Sequence, residues 1–109
     1  MVKNKFAFLD RDGVINFDYG HVGTIDNFHL IPHSINAMQS LMKLGYKIIV
    51  VTNQAGIAKG FYTEDDFHKL MNLMINRLKK YSIKISKYYY CPHHPDAKLK
   101  KYKKKCSFR

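Results

Sequence analysis

Two carboxylates, Asp10 and Asp12, stand two residues apart in FLDRDGVIN (Phe8 to Asn16), directly after an apolar run from Phe6 to Leu9. Residues two apart on an extended chain point the same way, so both acids can face one small volume. Gly13 lets the backbone turn sharply away from the strand end. Such a pair can bind a divalent cation through hard oxygens, or divide labour as nucleophile and proton donor. Taken alone, the stretch reads equally well as a strand ending in a solvated acidic turn. A second stretch, TNQAGIAKG (Thr52 to Gly60), offers a hydroxyl and an amide that can hydrogen-bond phosphate oxygens. Its Gly56 and Gly60 allow close backbone approach, and successive N–H groups could cradle an anion. By itself it is also an ordinary turn of small residues. A third, running from Cys91 to Arg109, sets Cys91 and His93 two apart and returns Cys106 after a loop. Those are zinc-ligand types at workable spacing, but three ligands leave a closed structural site one short. His93 or His94 alone would read as a surface histidine.

The elements that must position these groups follow from the apolar pattern. Residues 4–10 read as a buried strand. Residues 11–33, with Gly13, Gly20, Gly23 and Pro32, read as a long loop of the kind that often carries function. From Ser34, the positions Ile35, Met38, Leu41 and Met42 keep a helical period, and Gly45 sits where a C-terminal cap belongs. Tyr46 to Asn53 is apolar and β-branched, as for a strand covered on both faces. Thr63 opens a T-x-x-D capping signal, and Phe67, Leu70, Met71, Met74 and Leu78 mark a second amphipathic helix that ends in Lys79 and Lys80. The five methionines sit mostly on these helices and read as core. Residues 85–91 read as a third strand. The order βαβαβ predicts an α/β fold with a parallel sheet and right-handed crossovers, whose ligands bind beyond the carboxyl ends of the strands. Asp10, Asp12, Thr52, Asn53 and Cys91 all fall at those ends.

Size and charge bound the rest. The 109 residues suffice for one domain, and 46% hydrophobic with 14% aromatic residues is a globular composition. No apolar run approaches the ~20 residues of a membrane span. The N-terminus lacks the pattern of a secretory signal, so a cytoplasmic protein is expected. Two cysteines are too few for a disulfide scaffold and read as free thiols or metal ligands. Residues 1–76 balance seven Lys/Arg against seven Asp/Glu. Residues 77–109 hold twelve Lys/Arg against Asp96 alone, so the whole net charge of +11 lies there. A polyanion partner is one explanation, and a solvated lysine-rich surface around Lys98 to Lys105 the simpler one.

DRDGV (Asp10 to Val14) and VVTN (Val50 to Asn53) resemble the first two motifs of the haloacid dehalogenase-like phosphatases. The resemblance implies a Rossmann-like three-layer sandwich. It implies that Asp10 attacks phosphorus to form an aspartyl-phosphate, and that Asp12 protonates the leaving oxygen and then activates water. Mg²⁺ would be held by the Asp10 carboxylate and the Asp12 backbone carbonyl. The physics agrees: a cation offsets repulsion between carboxylate and phosphate, and a neighbouring carboxylate can raise the pKa of an acid catalyst. With IDNF (Ile25 to Phe28), TNQAGIAKG and CPHHP (Cys91 to Pro95), essentially the whole chain resembles the heptose-bisphosphate phosphatase branch, which serves bacterial heptose synthesis for lipopolysaccharide core or glycan.

That resemblance implies a sugar-phosphate substrate held by Asp10, Arg11, Asp12, Asp18, Tyr19, Gly20, His21, Thr52, Asn53, Gln54, Ala55 and Arg109. It also implies structural Zn²⁺ on Cys91, His93 and Cys106, in the segment 91–109. Phe108 stands where the fourth zinc ligand would be and cannot ligate, leaving water or a residue such as His94. The family's third and fourth motifs, a phosphate-binding lysine and a Mg²⁺-binding aspartate, would lie beyond Arg109. The chain is therefore expected to be the N-terminal part of such an enzyme, C-terminally incomplete and weak or inactive as it stands. It would be a monomer when complete and prone to association when short, with no nucleic-acid or membrane partner. Histidinol phosphatases share the first two motifs. Polynucleotide 3′-phosphatases pair an aspartate motif with a TNQ-like turn, and the basic tail would suit DNA, but CPHHP argues against them. A non-catalytic zinc- or polyanion-binding fragment is the remaining alternative.

Overall fold

A computed structural model of the chain describes residues 4–94. Arg109, Cys106, Phe108 and the lysine tail lie outside the described residues. Three strands, β1 (Lys5–Leu9), β2 (Tyr46–Asn53) and β3 (Ile85–Cys91), pair in parallel in the order β1-β2-β3. Three helices connect them: α1 (Pro32–Lys43), the short α2 (Ala55–Ala58) and α3 (Glu64–Lys79). The α/β class, the parallel pairing and the limits of β2 and β3 match the expectation. Helix α1 starts two residues ahead of Ser34, because Pro32 occupies its first turn, where a fixed φ helps and no N–H is needed. It ends as expected: Gly45 has φ +87°, and its N–H reaches the Met42 carbonyl. The α2 turn, which the sequence shows only as a run of small residues, lies inside TNQAGIAKG.

Helix α3 begins in a full capping box. Thr63 Oγ1 accepts the Asp66 N–H at 3.1 Å, and Asp66 Oδ2 accepts the Thr63 N–H at 3.0 Å. Those bonds, the backbone one first, hold the Asp66 carboxyl below the usual carboxylate range. Its apolar stripe, Phe67, Leu70, Met71, Met74 and Leu78, is wholly buried.

One face of the sheet makes the core. Ile48 and Val50, with Leu9, Tyr88 and Tyr90 packed nearby, join Met38 of α1 and the α3 stripe in a single cluster. The other face carries Phe6, Phe8 and Tyr89, which are 46%, 64% and 43% exposed. The expectation that β2 is covered on both faces is corrected here: Ile49 and Val51 are only half-buried. Two right-handed crossovers in the order β1-β2-β3 carry both long helices to the same side. The described residues thus supply a sheet and one helical layer. Among them, no helix is long and apolar enough to cross a membrane.

The segment between β1 and α1 is tied down through most of its length. The Arg11 carbonyl accepts the N–H groups of Val14, Ile15 and Asn16, and Asn16 bridges to both Asp12 and Leu30. Ile15, Val22 and Phe28 are buried, so this loop has its own anchor in the core.

Candidate functional site

A cavity of about 360 Å³ opens at the carboxyl ends of β1 and β2, lined by Asp10, Asp12, Asp18, Gly20, His21, Asn53, Ala55 and Tyr62. It lies where a parallel sheet places its ligands. Its two leading carboxylates are held very differently. Asp10 is exposed, and its Oδ1 takes the Arg11 backbone N–H at 2.7 Å. Asp12 is enmeshed. Its Oδ1 accepts from Arg11 Nε at 3.0 Å, Arg11 Nη2 at 2.8 Å and Asn16 Nδ2 at 3.0 Å, while among the described residues its Oδ2 accepts only from Gln54 Nε2 at 3.2 Å.

Arg11 does not face the cavity. Its fully buried guanidinium also donates to the Val22 carbonyl, approaches Met71 Sδ and lies over the Phe67 ring. A buried arginine is tolerable because Asp12 and a carbonyl satisfy it. A side-chain contact from Arg11 to a ligand is thus not what the structure builds; the residue positions Asp12. Asn16, whose Oδ1 is buried without a partner among the described residues, spends its amide N–H groups on Asp12 and the Phe17 carbonyl.

Of the other residues expected to meet a substrate, Asp18, Gly20, His21, Asn53 and Ala55 line the cavity. Tyr19 stands outside it, 63% exposed and stacked against Phe17. Thr52 is buried and accepts from Gln54 Nε2 at 2.9 Å, so it acts behind the cavity wall. His21 has φ +46°, in the left-handed region that non-glycine residues rarely enter, and its ring packs on exposed Phe61 with centroids 5.0 Å apart.

Sequence reasoning missed Tyr62. Its side chain is almost fully buried, lines the cavity, and donates its hydroxyl to Gln54 Oε1. Burial, helped by the Asp12 and Asp18 charges and opposed by Arg11, pushes its phenol up to about 12. The signal lay in two glycines. A Cβ on Gly23 would sit 2.1 Å from the Tyr62 ring, and one on Gly56 2.3 Å. Gly56 therefore makes room for an aromatic ring, a use the phosphate-cradle reading did not include.

The oxygen set suits Mg²⁺. Asp10 and Asp18 present carboxylates to the cavity and Asp12 can add its carbonyl, while no group of three acidic, histidine or cysteine side chains among the described residues could hold a metal unaided. Mg²⁺ commonly binds in this way, through one or two carboxylates with substrate phosphate and water completing its shell. The zinc expectation is corrected for Cys91. This residue, buried at the end of β3, is disulfide-bonded and not a free thiol. A sulfur in that state has no thiolate to give a metal. His93 and His94 are half-buried beyond it, and Cys106 lies outside the described residues.

Superposition on solved structures places the class: the chain has the fold of the haloacid dehalogenase-like phosphatases. A protein crystallised under that name from Mesorhizobium loti superposes with a TM-score of 0.81 at 27% identity, over 89% of this chain and 46% of that one. The particular likeness is to heptose-bisphosphate phosphatases. The chain is 46% identical over 106 residues to D-glycero-β-D-manno-heptose-1,7-bisphosphate 7-phosphatase of Haemophilus influenzae, covering 97% of this chain and 57% of that protein. The D,D-heptose 1,7-bisphosphate phosphatase of B. bronchiseptica, crystallised with magnesium and phosphate, gives a TM-score of 0.79 at 29% identity, over 87% of this chain and 54% of that one. The chain thus spans about half the length of the relatives it matches. No protein-family model matches it.

Proposed function

We propose that this chain carries the phosphoryl-transfer site of a Mg²⁺-dependent phosphatase that removes the 7-phosphate of D-glycero-D-manno-heptose 1,7-bisphosphate. The observation that carries the reading is the unequal pair: Asp10 open to the cavity, Asp12 fixed beside it. A nucleophile must be reachable, and an acid–base partner must be held in place. Asp10 attacks phosphorus as the bond to the sugar oxygen breaks. That oxygen takes its proton from Asp12. Water then attacks the aspartyl-phosphate, gives its proton to Asp12, and releases inorganic phosphate. Three donors anchor Asp12 Oδ1, so the proton is exchanged at Oδ2, where a single long bond from Gln54 competes. Bound Mg²⁺ would supply charge compensation between carboxylate and phosphate.

The names of the relatives support the substrate, and the magnesium and phosphate of the B. bronchiseptica structure support the ion. The test is phosphate release from the heptose 1,7-bisphosphate with and without Mg²⁺. Turnover, however slow, should need the ion and fall about 10³-fold or more in Asp10→Asn. Preference for histidinol phosphate would overturn the substrate, and an active Asp10→Asn the mechanism.

A further inference from the structure

We infer that Tyr62 is a positioning residue for the reaction: its hydroxyl locks the side-chain amide of Gln54, and through it the orientation of Asp12 Oδ2. The inference rests on the reading above for its catalytic consequence, but on geometry alone for the lock. Gln54 is 1% exposed and hydrogen-bonded at every side-chain atom that needs it. Both Nε2 hydrogens are spent, one on Asp12 Oδ2 at 3.2 Å and one on Thr52 Oγ1 at 2.9 Å. Oε1 is left for one donor, and Tyr62 supplies it. Without that hydroxyl a buried carbonyl oxygen would go unsatisfied, and the amide would rotate or admit water to recover a bond.

The phenol is itself held. Its ring fills a slot between Gly23 and Gly56, neither of which can carry a Cβ without meeting it below 3 Å. Burial keeps it a donor across the neutral range. Tyr62 also precedes the cap of α3, so the lock ties the start of that helix to the ends of β1 and β2. A tyrosine placed only to fill space would need neither the donor bond nor the aligned amide.

The test uses Tyr62→Phe in this chain, with Tyr81→Phe as control, since Tyr81 is a surface residue 45% exposed. In a chain labelled with ¹⁵N-glutamine, the Gln54 Nε2 protons should exchange slowly with solvent. Tyr62→Phe should speed that exchange about tenfold or more while leaving most backbone amide shifts in place; Tyr81→Phe should not. In heptose 1,7-bisphosphate turnover, Tyr62→Phe should lower kcat about tenfold and leave KM within about twofold. Unchanged Gln54 exchange in Tyr62→Phe overturns the lock, whatever the turnover. Loss of protection in Tyr62→Phe with kcat unchanged upholds the lock and overturns its catalytic consequence. Should Tyr62→Phe not fold, the unsubstituted chain decides: the Tyr62 hydroxyl proton should give a slowly exchanging resonance with a nuclear Overhauser contact to the Gln54 side chain, and its absence overturns the inference.

Discussion

Two turns face each other across the cavity, and they are held by opposite means. The turn after β1 is held by charge. Buried Arg11 pins Asp12 through two bonds and reaches back to the Val22 carbonyl. The turn after β2 is held by volume and neutral hydrogen bonds. The Tyr62 ring occupies space that Gly23 and Gly56 leave open, and its hydroxyl fixes the Gln54 amide. The difference has a chemical sense. A second buried cation would compete with Arg11 for Asp12 and for any anionic ligand. An amide oriented by a phenol directs one N–H at the same carboxylate without adding charge.

The contrast can be broken most forcefully at Arg11. Arg11→Met removes the cation and leaves Asp12, whose side chain is 19% exposed, with no charged partner among the described residues. Removing one member of a buried pair costs about 3–5 kcal/mol, read as a fall in the urea midpoint. A cost below about 1 kcal/mol would mean that the pair is as weak as a surface salt bridge and that charge does not hold the first turn. The second turn should yield less. Gly56→Ala sets a Cβ 2.3 Å from the Tyr62 ring, and overpacking of this kind costs about 1–3 kcal/mol. The same substitution made in Tyr62→Ala should cost much less, because the ring it strikes is gone. Equal costs in both backgrounds would show that Gly56 serves the backbone and not the ring.

What the sequence made legible were the local features. The T-x-x-D cap, the Gly45 stop and the β-branched run of β2 are decided by neighbours within a few residues, so their bounds could be read directly. The paired carboxylates were legible as a pair by their spacing, and both line the cavity, but they do so from the turn that follows β1 and not from the strand itself. What could not be read depends on distant parts meeting. Arg11 sits among acids and would be taken for a solvated or ligand-binding residue; only the fold shows Val22, Phe67 and Met71 closing over it. Tyr62 lies ten residues after Thr52, and its slot is made by Gly23 and Gly56, far apart in the chain. The half-covered face of β2 is likewise a matter of topology: an apolar run signals burial but not which layer covers each side. The state of Cys91 was equally invisible, since a thiol, a thiolate ligand and a disulfide share one letter.

The smallest effect, nil at neutral pH, sharpens the contrast from the alkaline side. The Tyr62 phenol is raised from 10.0 to about 12 in the folded chain, mainly by burial. A raised value means that the folded state holds a proton the unfolded state has lost. The stability it confers is therefore full below pH 10, declines as pH climbs from there, and is gone above about 12. The chain has eight tyrosines, and lysines titrate in the same window, so the bare pH profile is not diagnostic. The difference between the parent chain and Tyr62→Phe is. Urea midpoints followed from pH 8 to 11.5 should run parallel for the two chains up to about pH 10. Beyond that the parent should fall faster, because only it loses stability when this phenol ionises. Parallel curves throughout would mean that Tyr62 titrates as freely as an exposed tyrosine, and that the second turn is held by ring volume with no contribution from a buried hydroxyl.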